Sequence, residues 1–137
     1  MFQHEVQIRV RYGDTDKMGY VYYGNYPYYY EMARAEAIRA LGISYKQIED
    51  SGILMPVTRL NIKYVQPAFY DDLLNVRVTI PEMPNRGILF LYEIFNTEKV
   101  KTNEGETSLV FLETKSNKLV RAPQILIEKL SLFFQRK

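Results

Sequence analysis

The sequence predicts an α+β fold in which an antiparallel sheet curves around one long helix, within a single domain over residues 1–137. Three observations carry that expectation. One segment in the first third of the chain repeats its apolar residues at helical spacing. Several other segments alternate at the period of a strand. The connections between those strands are short and rich in turn residues, which favours antiparallel neighbours.

The first strand is expected over Gln3 to Tyr12, where Val6, Ile8 and Val10 face one way and Gln7, Arg9 and Arg11 the other. It ends at the turn residues Gly13-Asp14-Thr15-Asp16. Pro27 to Leu41 then sets Tyr30, Ala33, Ala37 and Leu41 on one helical stripe, with Glu31, Arg34, Glu36 and Arg39 spaced for (i, i+3) pairing. Asn25 is placed to cap this helix, Pro27 falls in its first turn and Gly42 stops it. The alanines on the stripe allow a sheet to approach closely. At about 1.5 Å per residue the helix is roughly 22 Å long, enough to cross several strands spaced about 4.8 Å apart. Ser44 to Asp50 reads as one or two further helical turns. Four more strands are expected at Met55 to Val65, Leu73 to Pro81, Gly87 to Asn96 and Glu106 to Lys115. Their breaks are Pro67, Asp71-Asp72, Pro84-Asn85 and Asn103-Glu104-Gly105. The tail from Pro123 to Phe134 fits a helix, although Leu132-Phe133-Phe134 equally fits a strand.

Composition narrows the chemistry. Apolar residues at 47% and charged residues at 25% are a globular balance, and a chain of 137 residues supports one real core. A net charge of +2 does not point to nucleic acid as the main partner, though a local anion site is compatible with it. No run of about 18 apolar residues offers a membrane span, and Met1 to Val10 alternate instead of forming a signal core, so a cytoplasmic location is expected. The absence of cysteine removes disulfides, thiolate nucleophiles and thiolate metal sites. His4 is the only histidine and lies near a terminus prone to fraying, which disfavours a Ser-His-Asp triad or a multi-histidine zinc site. Carboxylates, backbone dipoles, hydroxyls and lysine remain, and neither a metal nor a cofactor is expected.

Asp14-Thr15-Asp16 lies between the first strand and the N-terminus of the long helix, where free N–H groups favour developing anions. Asp16 could attack a carbonyl carbon or activate water while the backbone N–H of Tyr23 or Gly24 holds the carbonyl oxygen. By spacing alone, capping of turns by both aspartates is the leading alternative, and an Asp-x-Asp metal site is a third. Asn25 could position water, with helix capping as its other role. Glu31 could serve as a second acid-base group, with pairing to Arg34 as its other role.

A longer run discriminates among these. Arg11-Tyr12-Gly13-Asp14-Thr15-Asp16-Lys17-Met18-Gly19-Tyr20-Val21-Tyr22-Tyr23-Gly24-Asn25-Tyr26, continuing to Tyr30-Glu31-Met32-Ala33-Arg34-Ala35-Glu36, resembles the hotdog-fold thioesterases of the 4-hydroxybenzoyl-CoA and YbgC-like acyl-CoA type. Val65-Gln66-Pro67-Ala68-Phe69-Tyr70-Asp71-Asp72-Leu73 is similar to that family's turn between strands, and Lys118-Leu119-Val120-Arg121-Ala122-Pro123 to its final segment. The resemblance implies a hotdog fold whose subunits join by sheet edges as a homodimer or homotetramer. It implies hydrolysis of acyl-CoA thioesters with short or aromatic acyl groups, or of acyl-carrier-protein thioesters, with coenzyme A present only as part of the substrate. The family's catalytic carboxylate falls on Asp16 and its backbone donor on Tyr23, where many YbgC-like members carry histidine. It also implies basic residues near the CoA phosphates, for which Arg59, Lys63 and Arg86 are the candidates. Tyr20, Tyr22, Tyr28 and Tyr29 are candidates for an acyl pocket or a subunit contact. A hydratase on the same fold needs an Asp-His pair, which the lone His4 disfavours. A non-catalytic acyl-CoA-binding module is the alternative from another class.

Overall fold

The computed structural model describes residues 1–134. β1 (Phe2–Arg9) leads through two 3-10 turns, Tyr12–Asp14 and Tyr23–Asn25, into α1 (Tyr26–Ala40). α2 (Tyr45–Asp50) follows, with Ser44 and Gln47 forming a reciprocal cap at its start. The strands are β2 (Ile53–Leu54), β3 (Val57–Tyr64), β4 (Leu73–Ile80), β5 (Gly87–Phe95), β6 (Lys101–Glu113) and β7 (Lys118–Val120), and α3 (Gln124–Ser131) closes the order. One antiparallel sheet runs β1-β4-β5-β6-β3, with the short β2 and β7 joined to the C-terminal end of β6.

Alternation on the strands supplies the core. Ile8, Val76, Val78, Phe90, Ile94 and Phe111 face inward and are buried, and α1 lies against them through Tyr30, Ala33, Ala37 and Ile38. Each buried Val, Ile or Phe among them contributes roughly 1.5–3 kcal/mol by leaving water. Gly42, at φ +92°, ends the helix as expected.

Several boundaries differ from the sequence expectation for identifiable reasons. Asn103-Glu104-Gly105 is not a break but the interior of β6, paired with Tyr64, Lys63 and Ile62 on one side and Ile94, Glu93 and Tyr92 on the other. Glycine is there because Tyr30 lies flat on the sheet: a Cβ on Gly105 would sit 2.5 Å from the Tyr30 hydroxyl and 2.7 Å from its ring. The turn instead falls at Asn96, whose side-chain oxygen accepts the N–H groups of Glu98 and Val100, with Lys99 at φ 63°. The strand expected over Met55 to Val65 is divided into β2 and β3 at Met55-Pro56. β7 went unrecognised, and the tail is helical, with Leu132 to Phe134 in a turn that packs Phe133 on Phe2 at 4.8 Å. His4 does not fray; it is paired with Val78 within β1.

Arg34 also departs from expectation. It is 7% exposed and donates from Nε to the Tyr45 hydroxyl at 2.9 Å and from Nη1 to the Tyr92 hydroxyl at 3.0 Å. It therefore makes no pair with Glu31, which is exposed, whereas Glu36 and Arg39 do pair. The reason is its place on the stripe Tyr30, Ala33, Arg34, Ala37, Ile38, which faces the sheet. Tyr92 shares a hydrogen bond with Thr107 and stacks on Tyr30 at 4.1 Å, and Tyr30 bonds to Asn103. A polar seam thus runs beneath the helix.

Two predictions follow from this core. Gly105→Ala should destabilise by about 1–3 kcal/mol through overpacking against Tyr30, read as a fall in the urea midpoint. Burial pushes Tyr26 and Tyr45 up from 10.0 to about 12. The folded state therefore holds these phenol protons more tightly than the unfolded state does. Their stabilisation is complete below about pH 10 and is lost as pH rises towards about 12. The urea midpoint should fall over that window, and Tyr45→Phe should flatten the fall.

Candidate active site

The site begins where β1 runs out. Asp14 closes the loop with both its carboxylate and its carbonyl. Its Oδ2 accepts the Arg11 N–H at 3.0 Å and the Tyr29 hydroxyl at 2.9 Å. Its carbonyl accepts the Tyr22 N–H at 2.9 Å and Asn25 Nδ2 at 2.8 Å. Burial and this contact with Asp14 together push the Tyr29 phenol far above its ordinary value, so it stays a neutral donor. Asn25 occupies the N-cap position of α1 but does not cap it, because its own backbone is already helical at φ −87°, ψ −13°. Its side chain ties the helix start to the loop instead.

Asp16 is held differently. Its N–H bonds to the Tyr20 carbonyl at 3.1 Å, its carbonyl accepts the Gly19 N–H at 3.0 Å, and Gly19 turns at φ +87°. Oδ1 accepts the Met18 N–H at 2.8 Å, and Oδ2 meets no donor among the described residues. One carboxylate oxygen is thus oriented and the other is available for chemistry.

Facing it is the Tyr23–Asn25 turn. The N–H groups of Tyr23 and Gly24 meet no acceptor among the described residues, and they precede α1, whose dipole adds a partial positive charge. The Tyr64 hydroxyl, from the end of β3, donates to the Tyr23 carbonyl at 3.1 Å and so ties the turn to the sheet. Gly24 has no room for a side chain: a Cβ would lie 2.6 Å from the Tyr22 ring.

A groove of about 330 Å³ opens between these parts, walled by Asp16, Tyr20, Tyr23, Tyr26, Tyr64 and Gln66. Its size is within the range of small-molecule sites. Tyr26, Tyr64 and Gln66 were not singled out from sequence. A tyrosine closing a strand ahead of a Gln-Pro turn was the available signal, but only the fold brings that strand end to the helix start.

The remaining expected residues lie outside this groove. Tyr22 meets the Tyr23 ring at a tilt, with the centroids 4.8 Å apart. Glu31 and Tyr28 are exposed on α1. Arg59 is exposed on β3 opposite Ser108, Lys63 of the same strand lies 3.9 Å from Glu104 on β6, and Arg86 is exposed in the turn before β5. Among the described residues no three His, Cys, Asp or Glu side chains gather as a metal site, and no helix is long and apolar enough to cross a membrane.

Residues 10–130 match the thioesterase-like superfamily profile. The chain belongs to the thioesterase-like superfamily. The acyl-CoA thioester hydrolase YbgC of Escherichia coli is 30% identical over 120 residues, spanning 88% of this chain and 90% of the relative. The solved DHNA-CoA thioesterase of Staphylococcus aureus superposes with a TM-score of 0.92 at 33% identity, covering 98% of this chain and 92% of that one. A 4-hydroxybenzoyl-CoA thioesterase, solved with 4-hydroxybenzoyl-CoA, shares the fold with a TM-score of 0.85 at 22% identity, over 94% of this chain and 99% of that one. The curled antiparallel sheet around α1 is the hotdog arrangement of these thioesterases.

The two aspartates of this thioesterase-like chain should separate on mutation. Asp14→Ala should cost about 1–3 kcal/mol in denaturant unfolding, because it strands the Tyr29 hydroxyl. Asp16→Asn should change stability by less than about 0.5 kcal/mol, since the amide oxygen still accepts the Met18 N–H.

Proposed function

We propose that this protein hydrolyses acyl-CoA thioesters, with Asp16 as the reacting carboxylate and the backbone N–H groups of Tyr23 and Gly24 as the oxyanion site. The observation that carries this is the free Oδ2 of Asp16 in one groove with the unpaired Tyr23 N–H at a helix start. The carbonyl oxygen of the thioester gains charge against these donors while Asp16 attacks the carbon or deprotonates the water that does. A thiol with pKa near 8.5 departs without the strong acid help that an amine needs, so no histidine and no cofactor is required. The coenzyme A enters only as part of the substrate.

The groove favours an aromatic or short acyl group, because tyrosine rings form much of its wall and offer faces and edges for stacking. The DHNA-CoA thioesterase relationship supports the aromatic choice. Arg59, Lys63 and Arg86 are proposed contacts for the CoA phosphates, each being an exposed cation beyond the groove.

The working form is proposed to be a homodimer joined through β3. This strand is exposed on nearly every residue, including Val57, Leu60 and Tyr64, and among the described residues it pairs on one side only, with β6. A long edge with that apolar content invites pairing with a second copy. Tyr64 would then bring the groove to the interface.

Release of free thiol from a panel of acyl-CoAs tests the chemistry. Asp16→Asn should lower kcat by about 100- to 10,000-fold; equal rates in the two proteins would remove Asp16 from the reaction. If the wild type binds acyl-CoA tightly and turns none over, a binding module replaces the hydrolase. Light scattering on Leu60→Arg tests the assembly. The wild type should have twice the chain mass and the variant the mass of a single chain.

A further inference from the structure

Each of the two N–H groups ahead of α1 shares a peptide plane with a carbonyl, and the two carbonyls are held by different parts of the chain. A planar trans peptide sets its N–H and C=O antiparallel, so a bond that fixes the oxygen also fixes where the hydrogen points. The Tyr23 N–H belongs with the Tyr22 carbonyl, which accepts the Asn25 N–H at 2.9 Å. The Gly24 N–H belongs with the Tyr23 carbonyl, which accepts the Tyr64 hydroxyl at 3.1 Å. The first restraint is local to the turn. The second comes from the last residue of the edge strand β3.

Tyr64 is itself well anchored. Its backbone pairs with Asn103, and the N–H groups of Val65 and Gln66 both bond to the Thr102 carbonyl, at 3.0 and 3.1 Å. Its ring meets Tyr26 at 5.5 Å and Tyr23 at 6.3 Å, each edge to face, so the hydroxyl is aimed by packing. A donor on a carbonyl oxygen also draws electron density along the amide and strengthens the N–H at its other end. We propose that Tyr64 is a positioning residue of the oxyanion site: through the peptide between Tyr23 and Gly24, its hydroxyl aims the Gly24 N–H and strengthens it as a donor to the thioester oxygen. The assignment rests on the hydrolase reading of Asp16 and the helix start. It gives the two donors separate controls, the turn for Tyr23 and the sheet edge for Gly24, so a shift at the end of β3 moves one donor and spares the other.

Tyr64→Phe keeps the ring between Tyr23 and Tyr26 and removes only the hydroxyl. On the acyl-CoA that the wild type cleaves fastest, kcat should fall about tenfold, short of the roughly 100- to 1,000-fold that follows outright loss of a donor. KM should stay within about twofold. The carbonyl stretch of a bound ketone analogue, with a methylene in place of the thioester sulfur, should move in Tyr64→Phe towards its frequency in water. Tyr64→fluorotyrosine, a stronger donor measured below the pH at which its phenol ionises, should move the stretch the other way. A merely structural hydroxyl would give no such graded shift. An unchanged kcat with an unchanged stretch overturns the proposal, and so does a raised KM at constant kcat, which makes Tyr64 a wall of the groove alone. Failure of the hydrolase reading looks different: the wild type then releases no thiol from any acyl-CoA, and its bound analogue keeps the stretch it has in water.

Discussion

Asp14 accepts four hydrogen bonds, two on its carboxylate from Arg11 and Tyr29 and two on its carbonyl from Tyr22 and Asn25. Three of the four donors belong to the segment that begins the central helix. The loop after β1 and the start of α1 are therefore one rigid piece, and the separation of Asp16 from the Tyr23 and Gly24 N–H groups is set by it. Every other feature of the site depends on that separation, because an oxyanion donor loses its effect when misplaced by an ångström. The rest of the fold supports the same junction. Tyr64 braces the Tyr23 carbonyl from the sheet edge, and Gly105 lets Tyr30 lie close enough for α1 to settle on β6.

The division of labour between two aspartates two residues apart also explains how the chain manages with a single histidine that sits within β1. Asp14 spends its hydrogen-bonding capacity on structure, while among the described residues Asp16 keeps one carboxylate oxygen unpaired. Neutral phenols lie beside them: burial raises Tyr26 and Tyr29 further above an ordinary phenol value that already leaves them uncharged at neutral pH. The polar seam of Arg34, Tyr45, Tyr92 and Thr107 beneath the helix is built from the same material. Its cation is held by phenol oxygens and the Phe90 ring, with no carboxylate among those contacts.

Much of this was legible in the sequence. Period-two alternation located β1, β4 and β5 to within a few residues, and the alanine stripe with Gly42 located α1, because those patterns report directly on one buried face. The start of β6 was not legible, since Gly105 imitates a turn residue and its true reason is a ring arriving from α1. The burial of Arg34 was written in its place on the stripe, but its charge argued the other way. At the site, Asp16 stood out only through the long family-like run. Spacing could not separate it from Asp14, whose partners Asn25 and Tyr29 lie eleven and fifteen residues on. Tyr64 was further from reach, forty-one residues from the carbonyl it holds.

The measurement that bears most directly on the central claim is a crystal structure with an acyl-CoA analogue in which a methylene replaces the thioester sulfur, so that the carbonyl remains but cannot be cleaved. The account predicts the carbonyl oxygen about 2.7–3.1 Å from the Tyr23 or Gly24 nitrogen, with Asp16 Oδ2 facing the carbonyl carbon directly or through one water. A carbonyl bound away from the start of α1, with Asp16 Oδ2 turned from it, would contradict the account.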